Sequence, residues 1–320
     1  MFNWEKIGRI FDPRDYPNRP WLKEFAQGPA TLEFDDFVRV FFSCRPAPDA
    51  NGSYVSNSAW LDLDKKDIRR ILRVSDSPVL THGSFGDFDE FGIYPVSPIR
   101  LGSDILLYYA GWTRCESVPF NVAIGLAISK DGGTTFEKCG RGPVLSYTLD
   151  EPFVLSGPKI RRFNGLFYLF YIAGKKWVID NGRPEPVYKI RAAVSRNGFD
   201  WEKVGKNLIP DALGEEEAQA SPDVFFFAGK YHMFFCYRHG RDYRNASRGY
   251  RIGYAHSMDL VNWTRDDAKA GLHPSAEGWD SEMVSYPHLA EINGKIYMFY
   301  LGDSVGRWGF GAAELKGSLI

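Results

Sequence analysis

The sequence predicts an all-β chain folded as a single five-bladed β-propeller of four-stranded antiparallel blades. Three observations carry this. A Pro-marked strand followed by an aromatic hairpin occurs five times. The marker prolines are evenly spaced, at 98−29 = 69, 158−98 = 60, 222−158 = 64 and 287−222 = 65 residues. The N-terminal segment reads as the strand that the last repeat lacks. Self-similarity at a fixed period is the signature of radial or stacked repeats, and units of several short strands suit a propeller.

The copies run in order. Gln27-Gly28-Pro29 leads to Val38-Arg39-Val40-Phe41-Phe42, and Val96-Ser97-Pro98 to Leu106-Leu107-Tyr108-Tyr109. Ser156-Gly157-Pro158 leads to Phe167–Tyr171, Ala220-Ser221-Pro222 to Tyr231–Phe235, and Ser285-Tyr286-Pro287 to Ile296–Tyr300. The connecting turns carry Asp35-Asp36, Gly102-Ser103-Asp104, Asn164-Gly165, Gly229-Lys230 and Asn293-Gly294. Asn-Gly between apolar runs is a strong hairpin signal. Third strands follow at residues 121–127, 189–194, 251–255 and 309–313. Polar turns such as Ser129-Lys130-Asp131-Gly132 and Ser195-Arg196-Asn197-Gly198 then lead to Phe136 and Trp201, and so to a fourth strand. The fifth repeat has only three strands. Residues 2–11, with Trp4-Glu5-Lys6-Ile7-Gly8-Arg9, read like Trp201-Glu202-Lys203-Val204-Gly205-Lys206. They are expected to complete the last blade and remove an exposed edge. The expected blades are 21–80, 90–146, 150–210, 216–272, and 280–320 with 2–11, in one domain spanning 1–320.

Composition narrows the function. With 39 basic and 40 acidic residues the net charge is −1, and no basic stripe points to nucleic acid. No apolar run approaches membrane-spanning length, and the N-terminus lacks a secretory pattern. The four cysteines show no metal-type spacing, so free thiols in a reducing cytoplasm are expected, with no cofactor and no metal.

Propeller geometry places a site. Each first strand lines the axis and runs antiparallel to the second, so first-strand starts and second-strand ends share one face of the disc. Carboxylates cluster at the starts: Glu24, Asp87, Asp89, Glu90, Glu151, Glu215, Glu216, Glu217, Asp280 and Glu282, with Asp223 inside a first strand. Cations cluster at the ends: Arg45, Arg114, Lys175, Lys176, Arg238 and Arg241, with His239 and Trp112. Lys159 and His288 lie inside first strands. The expectation is a polar funnel on one face, with acids for proton transfer and cations for an anionic group. Asp89, Glu90, Asp223 and Glu282 are the candidate catalytic acids, Glu90 or Glu282 being the proton donor. A carboxylate inside an apolar strand, as at Asp223, needs partners, and acids flanked by aromatics, as at Asp89-Glu90, are where pKa values separate. Arg45, Arg114, Lys159 and Arg238 are candidate anion ligands. Tyr94, Trp112, Trp177 and Tyr286 are candidate sugar-stacking rings, with His239 and His288 as further binding candidates.

With its Pro-marked first strands, Asn-Gly aromatic hairpins and Ser-x-Asp-Gly turns, the whole chain resembles the five-bladed propeller glycosidase superfamily. That group includes arabinanases and xylosidases, invertase-type fructosidases, and the β-mannoside phosphorylases and hydrolases. The three-acid mechanism of the arabinanase group does not carry over: Gly28-Pro29 and Ser97-Pro98 lack its acids, and Ser156-Gly157-Pro158 stands where that group has Glu-Gly-Pro. The mannoside phosphorylases use one carboxylic acid and hold phosphate with basic side chains, a demand that Arg45, Arg114, Lys159 and Arg238 meet in residue type. The resemblance implies a glycoside hydrolase or phosphorylase acting on a carbohydrate; the funnel's cations add the expectation of an anionic or phosphate-linked glycan, with phosphate, a sugar acid or a sugar nucleotide as the anion held, and the cysteines that of a cytoplasmic setting. A silent glycan-binding propeller and a protein-interaction scaffold are the alternatives, because this fold hosts many functions.

Overall fold

The computed structural model describes residues 1–317; residues 318–320 of the expected last blade lie outside the described residues. After β1 (Asn3–Phe11), blade one holds β2 (Glu24–Glu33), β3 (Phe37–Arg45), β4 (Asn57–Asp64) and β5 (Ile71–Val74). Blade two holds β6 (Ile93–Leu101), β7 (Asp104–Arg114), β8 (Phe120–Ser129) and β9 (Glu137–Lys138). Blade three holds β10 (Leu155–Phe163), β11 (Leu166–Asp180), β12 (Arg183–Ser195) and β13 (Glu202–Lys203). Blade four holds β14 (Ala218–Phe227), β15 (Lys230–Arg238), β16 (Arg251–Ser257) and β17 (Trp263–Arg265). Blade five holds β18 (Ser285–Ile292), β19 (Lys295–Leu301) and β20 (Phe310–Lys316). Each blade is a four-stranded antiparallel sheet, and β1 pairs with β20 as the outer strand of blade five, with Trp4 opposite Leu315 and Arg9 opposite Gly311. The fold is therefore a five-bladed propeller closed by its N-terminal strand, as the repeats predict.

The inner strands β2, β6, β10, β14 and β18 pack in that order around the axis. Apolar side chains alternate off each sheet face and fill the wedges between blades. Phe11, Phe42, Phe299 and Phe310 fill one such wedge, and Leu106, Tyr108, Ile160 and Leu169 another. The third-to-fourth-strand turns are built alike. Ser129, Ser195 and Ser257 hydroxyls accept the amides of Gly133, Gly198 and Leu260 at 2.8, 2.9 and 3.0 Å. Such side-chain bonds hold a tight polar turn.

Every inner strand bulges at an X-Pro pair. The register shifts fall at Gly28-Pro29, Gly157-Pro158, Ser221-Pro222 and Tyr286-Pro287, and in blade two between Ile93 and Val96, at Tyr94-Pro95. This corrects the reading that Ser97-Pro98 is the second copy. The true spacings are 95−29 = 66 and 158−95 = 63 residues, closer to the 64 and 65 that follow. A bulge re-aims the strand and its side chains. Gly28 (φ +61) needs glycine twice over, since a Cβ there would lie 2.7 Å from the Pro95 Cβ. Ser221 and Tyr286 hold the same left-handed region at φ 49 and 53, a cost that persists where surroundings over-determine it.

Carboxylates just before the first strands repeat as a clasp. Asp280 receives the Tyr300 hydroxyl at 2.9 Å and the Lys6 ammonium at 2.7 Å. Glu151 receives Tyr171 at 2.8 Å, with Lys203 and Arg191 also on it. Asp89 meets Lys138 at 2.5 Å beside Tyr109, and Glu217 meets Arg265 at 2.6 Å. In each of these blades the acid ties the loop entering strand one to the basic side chain of strand four.

Candidate functional site

A cavity of about 730 Å³ opens at the face where first strands begin and second strands end. That size suits a small ligand. Its floor is the ring of bulges: Tyr94, Pro95, Gly157, Ser221 and Tyr286 all line it. Tyr94 and Tyr286 stack with centroids 6.4 Å apart, and Tyr250 meets Tyr286 edge-on at 5.9 Å. One wall is raised by the long β11–β12 hairpin, whose residues Gly182 to Pro186 reach into the cavity.

The lining is cationic. Arg45, Arg114, Arg183, Arg238, Arg244 and Arg307 line it, against the carboxylates Glu185 and Glu282 among the described residues. Arg114 pairs with Asp49 at 2.6 Å, Arg307 with Glu24 at 3.1 Å, and Arg244 with Glu185 at 2.7 Å. Arg45, Arg183 and Arg238 form no ion pair among the described residues. The Arg45 Nε donates to Ser56 Oγ at 3.2 Å, and its guanidinium lies 4.3 Å from the Phe25 ring centroid and 5.2 Å from that of Tyr54. Burial lowers its pKa below the ordinary arginine value, which marks a charge held largely out of water.

The structure brings Glu282, Arg45, Tyr94, Trp112, Arg114, Arg238 and Tyr286 together around this cavity. Glu282 is exposed on the segment entering β18; its carboxylate makes no hydrogen bond or ion pair among the described residues, while its amide donates to Asp303 at 2.7 Å. Trp112 is turned by its indole N–H, which donates to the Tyr94 carbonyl at 2.6 Å.

The other candidates lie elsewhere. Asp89 is buried in its clasp with Lys138. Glu90 accepts the Gly86 amide at 2.9 Å and shapes its own loop. Trp177 packs against Phe120 and Phe153, behind the wall rather than on it. His239 bonds through its backbone amide to Arg248. Asp223, Lys159 and His288 form a buried layer beneath the cavity floor, one residue past each X-Pro bulge. Arg161 clamps Asp223 with two bonds of 2.8 and 2.7 Å, and the Leu289 amide donates to it at 2.6 Å. The Thr31 amide donates to His288 Nε2 at 2.8 Å, so Nδ1 carries the proton and faces Asp223 at 2.9 Å. Lys159 donates to the Pro29 carbonyl at 2.7 Å. Burial would raise the Asp223 carboxyl, yet Arg161, His288 and Lys159 outweigh it and hold it far below the usual range. Burial pushes Lys159 down to about 8 and, with the Lys159 charge, His288 down to about 3. These residues plug the axis. The catalytic roles expected of Asp89, Glu90 and Asp223 find no place in the cavity.

Glu185, Arg183, Tyr188, Tyr243, Arg244 and Tyr250 line the cavity without having been singled out from sequence. The available signal was the uninterrupted β run of residues 166–195 around Asn181-Gly182, longer than any other hairpin here. No group of three or more His, Cys, Asp or Glu among the described residues is placed to hold a metal ion.

This architecture and its axial cavity define a propeller of the kind found in five-bladed glycoside hydrolases and phosphorylases. A solved glycoside hydrolase superposes with a TM-score of 0.76 at 18% identity, covering 100% of this chain and 94% of that one. The β-1,2-mannobiose phosphorylase from Listeria innocua superposes with a TM-score of 0.70 at 14% identity, covering 98% and 97%. At those identities the likeness concerns the fold. No family model matches the chain. It is 33% identical over 314 residues to the uncharacterized protein Rv1502 of Mycobacterium tuberculosis (strain ATCC 25618 / H37Rv), covering 98% of this chain and 99% of that protein. The chain belongs to the family of Rv1502. It is also similar, at 26% identity over 252 residues, to a 1,2-β-oligomannan phosphorylase of Thermoanaerobacter sp. (strain X514), covering 77% of this chain and 76% of that protein.

Proposed function

We propose that this chain is a carbohydrate-active enzyme that transfers a glycosyl group between a glycoside and phosphate in the arginine-lined cavity. The observation that carries this is that one cavity is lined both by a carboxylate, Glu282, and by guanidinium groups that have no ionic partner among the described residues. Hydrolysis ordinarily recruits two carboxyl groups, one as acid and one to activate water or attack carbon. Here Glu185 is engaged by Arg244 and Tyr243. Phosphate can take the place of the second carboxyl group by bringing its own nucleophile. Its oxygen bonds to the anomeric carbon as the glycosidic C–O bond breaks, and the Glu282 carboxyl passes its proton to the departing oxygen. Arg45 holds the anion, since its terminal nitrogens have no partner among the described residues and lie among aromatic rings that keep water away. Tyr94, Trp112 and Tyr286 offer the apolar faces that sugar rings stack on. The similarity to a 1,2-β-oligomannan phosphorylase supports this reading and suggests β-1,2-linked mannosides as the first substrates to try. Free cysteines, two of them exposed, fit a reducing cytoplasm.

The test is incubation with β-1,2-mannobiose and longer mannosides, with and without inorganic phosphate. Phosphate-dependent release of sugar 1-phosphate is expected. Reducing sugar released equally without phosphate would replace this reading with a hydrolase. Thermal stabilisation by mannosides without any turnover would leave a glycan-binding propeller.

A further inference from the structure

We infer that the blade-three and blade-four wall of the cavity holds a second anion seat, made by Arg238, the Tyr188–Tyr250 hydroxyl pair and Arg183, for a negatively charged substituent on the glycoside. This rests on the reading that the cavity binds a glycoside, and adds that the glycoside is acidic.

Arg238 is the starting point. It is 2% exposed. Its N–H groups reach Tyr250 Oη at 3.1 Å, the His239 carbonyl at 2.9 Å, the Pro186 carbonyl at 3.3 Å and Tyr188 Oη at 3.4 Å. Its guanidinium carbon lies 3.7 Å from the Tyr243 ring centroid. Every partner is neutral. The nearby acid, Glu185, is taken by Arg244 at 2.7 Å and by the Tyr243 hydroxyl at 3.2 Å. A buried charge satisfied in hydrogen bonds but lacking a counter-ion is expensive to keep. Its field is available to a ligand.

The two tyrosines carry that field into the cavity. Both oxygens accept from Arg238, and they lie 2.5 Å apart. Two phenols bring two protons. One lies between the two oxygens. The other has no acceptor among the described residues, and both side chains line the cavity. A hydroxyl whose oxygen already accepts from a guanidinium is a polarised donor. Arg183, at the start of β12 and unpaired among the described residues, adds its guanidinium to the same wall.

Arg45 sits at the end of β3 in blade one, whereas Arg238 ends β15 in blade four. The Tyr94, Tyr286 and Tyr250 rings form a run between them: Arg45 lies 5.7 Å from the Tyr94 centroid at one end and Arg238 5.5 Å from that of Tyr250 at the other, so one phosphate held at Arg45 leaves Arg238 open to a second anion. The second seat suits a carboxylate or a phosphate ester on the sugar.

Calorimetric titration tests this without turnover. Mannose, mannuronic acid and mannose 6-phosphate are titrated into the protein, each with and without saturating inorganic phosphate. At least one charged sugar is expected to bind tenfold or more tighter than mannose and to bind equally well in saturating phosphate; which one binds distinguishes the carboxylate from the ester. Arg183→Gln, on an exposed hairpin where folding is not at stake, is expected to weaken the charged sugar at least threefold and leave phosphate affinity unchanged. Tyr250→Phe should do the same. Equal binding of mannose, or displacement of the charged sugar by phosphate, would overturn the second seat. Two-seat binding with no phosphorolysis of any glycoside would sink the phosphorylase reading alone.

Discussion

Lys6 and Asp280 form an ion pair of 2.7 Å across 274 residues of sequence. It joins the outer strand of blade five to the loop entering its inner strand, and the Asp280 side chain is only 3% exposed. Lys6→Met would leave a buried carboxylate with the Tyr300 hydroxyl alone. Breaking a buried pair is costly, and the partial exposure of Lys6 reduces the effect. We expect a loss of about 1–3 kcal/mol in urea unfolding, with Asp280→Asn costing no more, because it removes the buried charge and leaves the partly exposed Lys6 bonded to Ser275.

The clasp and the cavity predict opposite phenotypes for two acids that look alike in sequence. Asp89→Asn removes the partner of Lys138 outside the cavity. It should cost about 1–3 kcal/mol of stability and leave turnover near that of the unaltered protein. Glu282→Gln alters an exposed side chain without partners among the described residues. It should leave stability within about 0.5 kcal/mol and lower kcat by about 100-fold or more, the usual contribution of a general acid. Parallel melting curves and initial rates separate the two.

Arg45→Gln removes the guanidinium that, among the described residues, has only Ser56 as a hydrogen-bond partner. Loss of charged hydrogen bonds to phosphate should raise the phosphate KM by about tenfold or more. The KM for oligosaccharide should move much less. Equal effects on both would place Arg45 at the sugar rather than at phosphate.

The axial plug predicts a pH dependence. Burial lowers His288 from 6.5 to about 3. Between those values the unfolded chain binds a proton that the folded chain does not, so stability rises with pH. The contribution is complete above about pH 6.5 and is lost as pH falls towards 3, by up to about 1.4 kcal/mol per pH unit. Urea unfolding at pH 7 and pH 5 should show a steeper loss for the unaltered protein than for His288→Gln. Equal slopes would mean that His288 takes up its proton in the folded state.

The fold was legible because its signals are local. Hairpin turns, X-Pro bulges and Ser-anchored turns all lie within short windows, and five copies average out the noise. Even so, Ser97-Pro98 displaced Tyr94-Pro95 in the second copy, because both are X-Pro pairs in the same strand and only pairing register separates them. The site was half legible. Strand direction correctly sorts Glu282, Arg45 and Arg238 to one face. It does not say whether a side chain turns towards the axis or back into its own blade, and Asp89 turns back to meet Lys138, which is distant in sequence. Glu185 escaped notice because it lies on a third strand that reaches the cavity only through the extended β11–β12 hairpin.

The β1–β20 pairing also sets an order of assembly. Blades one to four each draw their strands from one continuous stretch, so each can form soon after that stretch leaves the ribosome. Blade five cannot. Its outer strand precedes the other nineteen in sequence, and the strand it pairs with follows them all. Until β20 has been made, residues 2–11 carry the apolar side chains of Phe2, Trp4, Ile10 and Phe11 with their lasting neighbours still incomplete. The nascent chain must shield that segment from other partners until β20 emerges and the ring can shut.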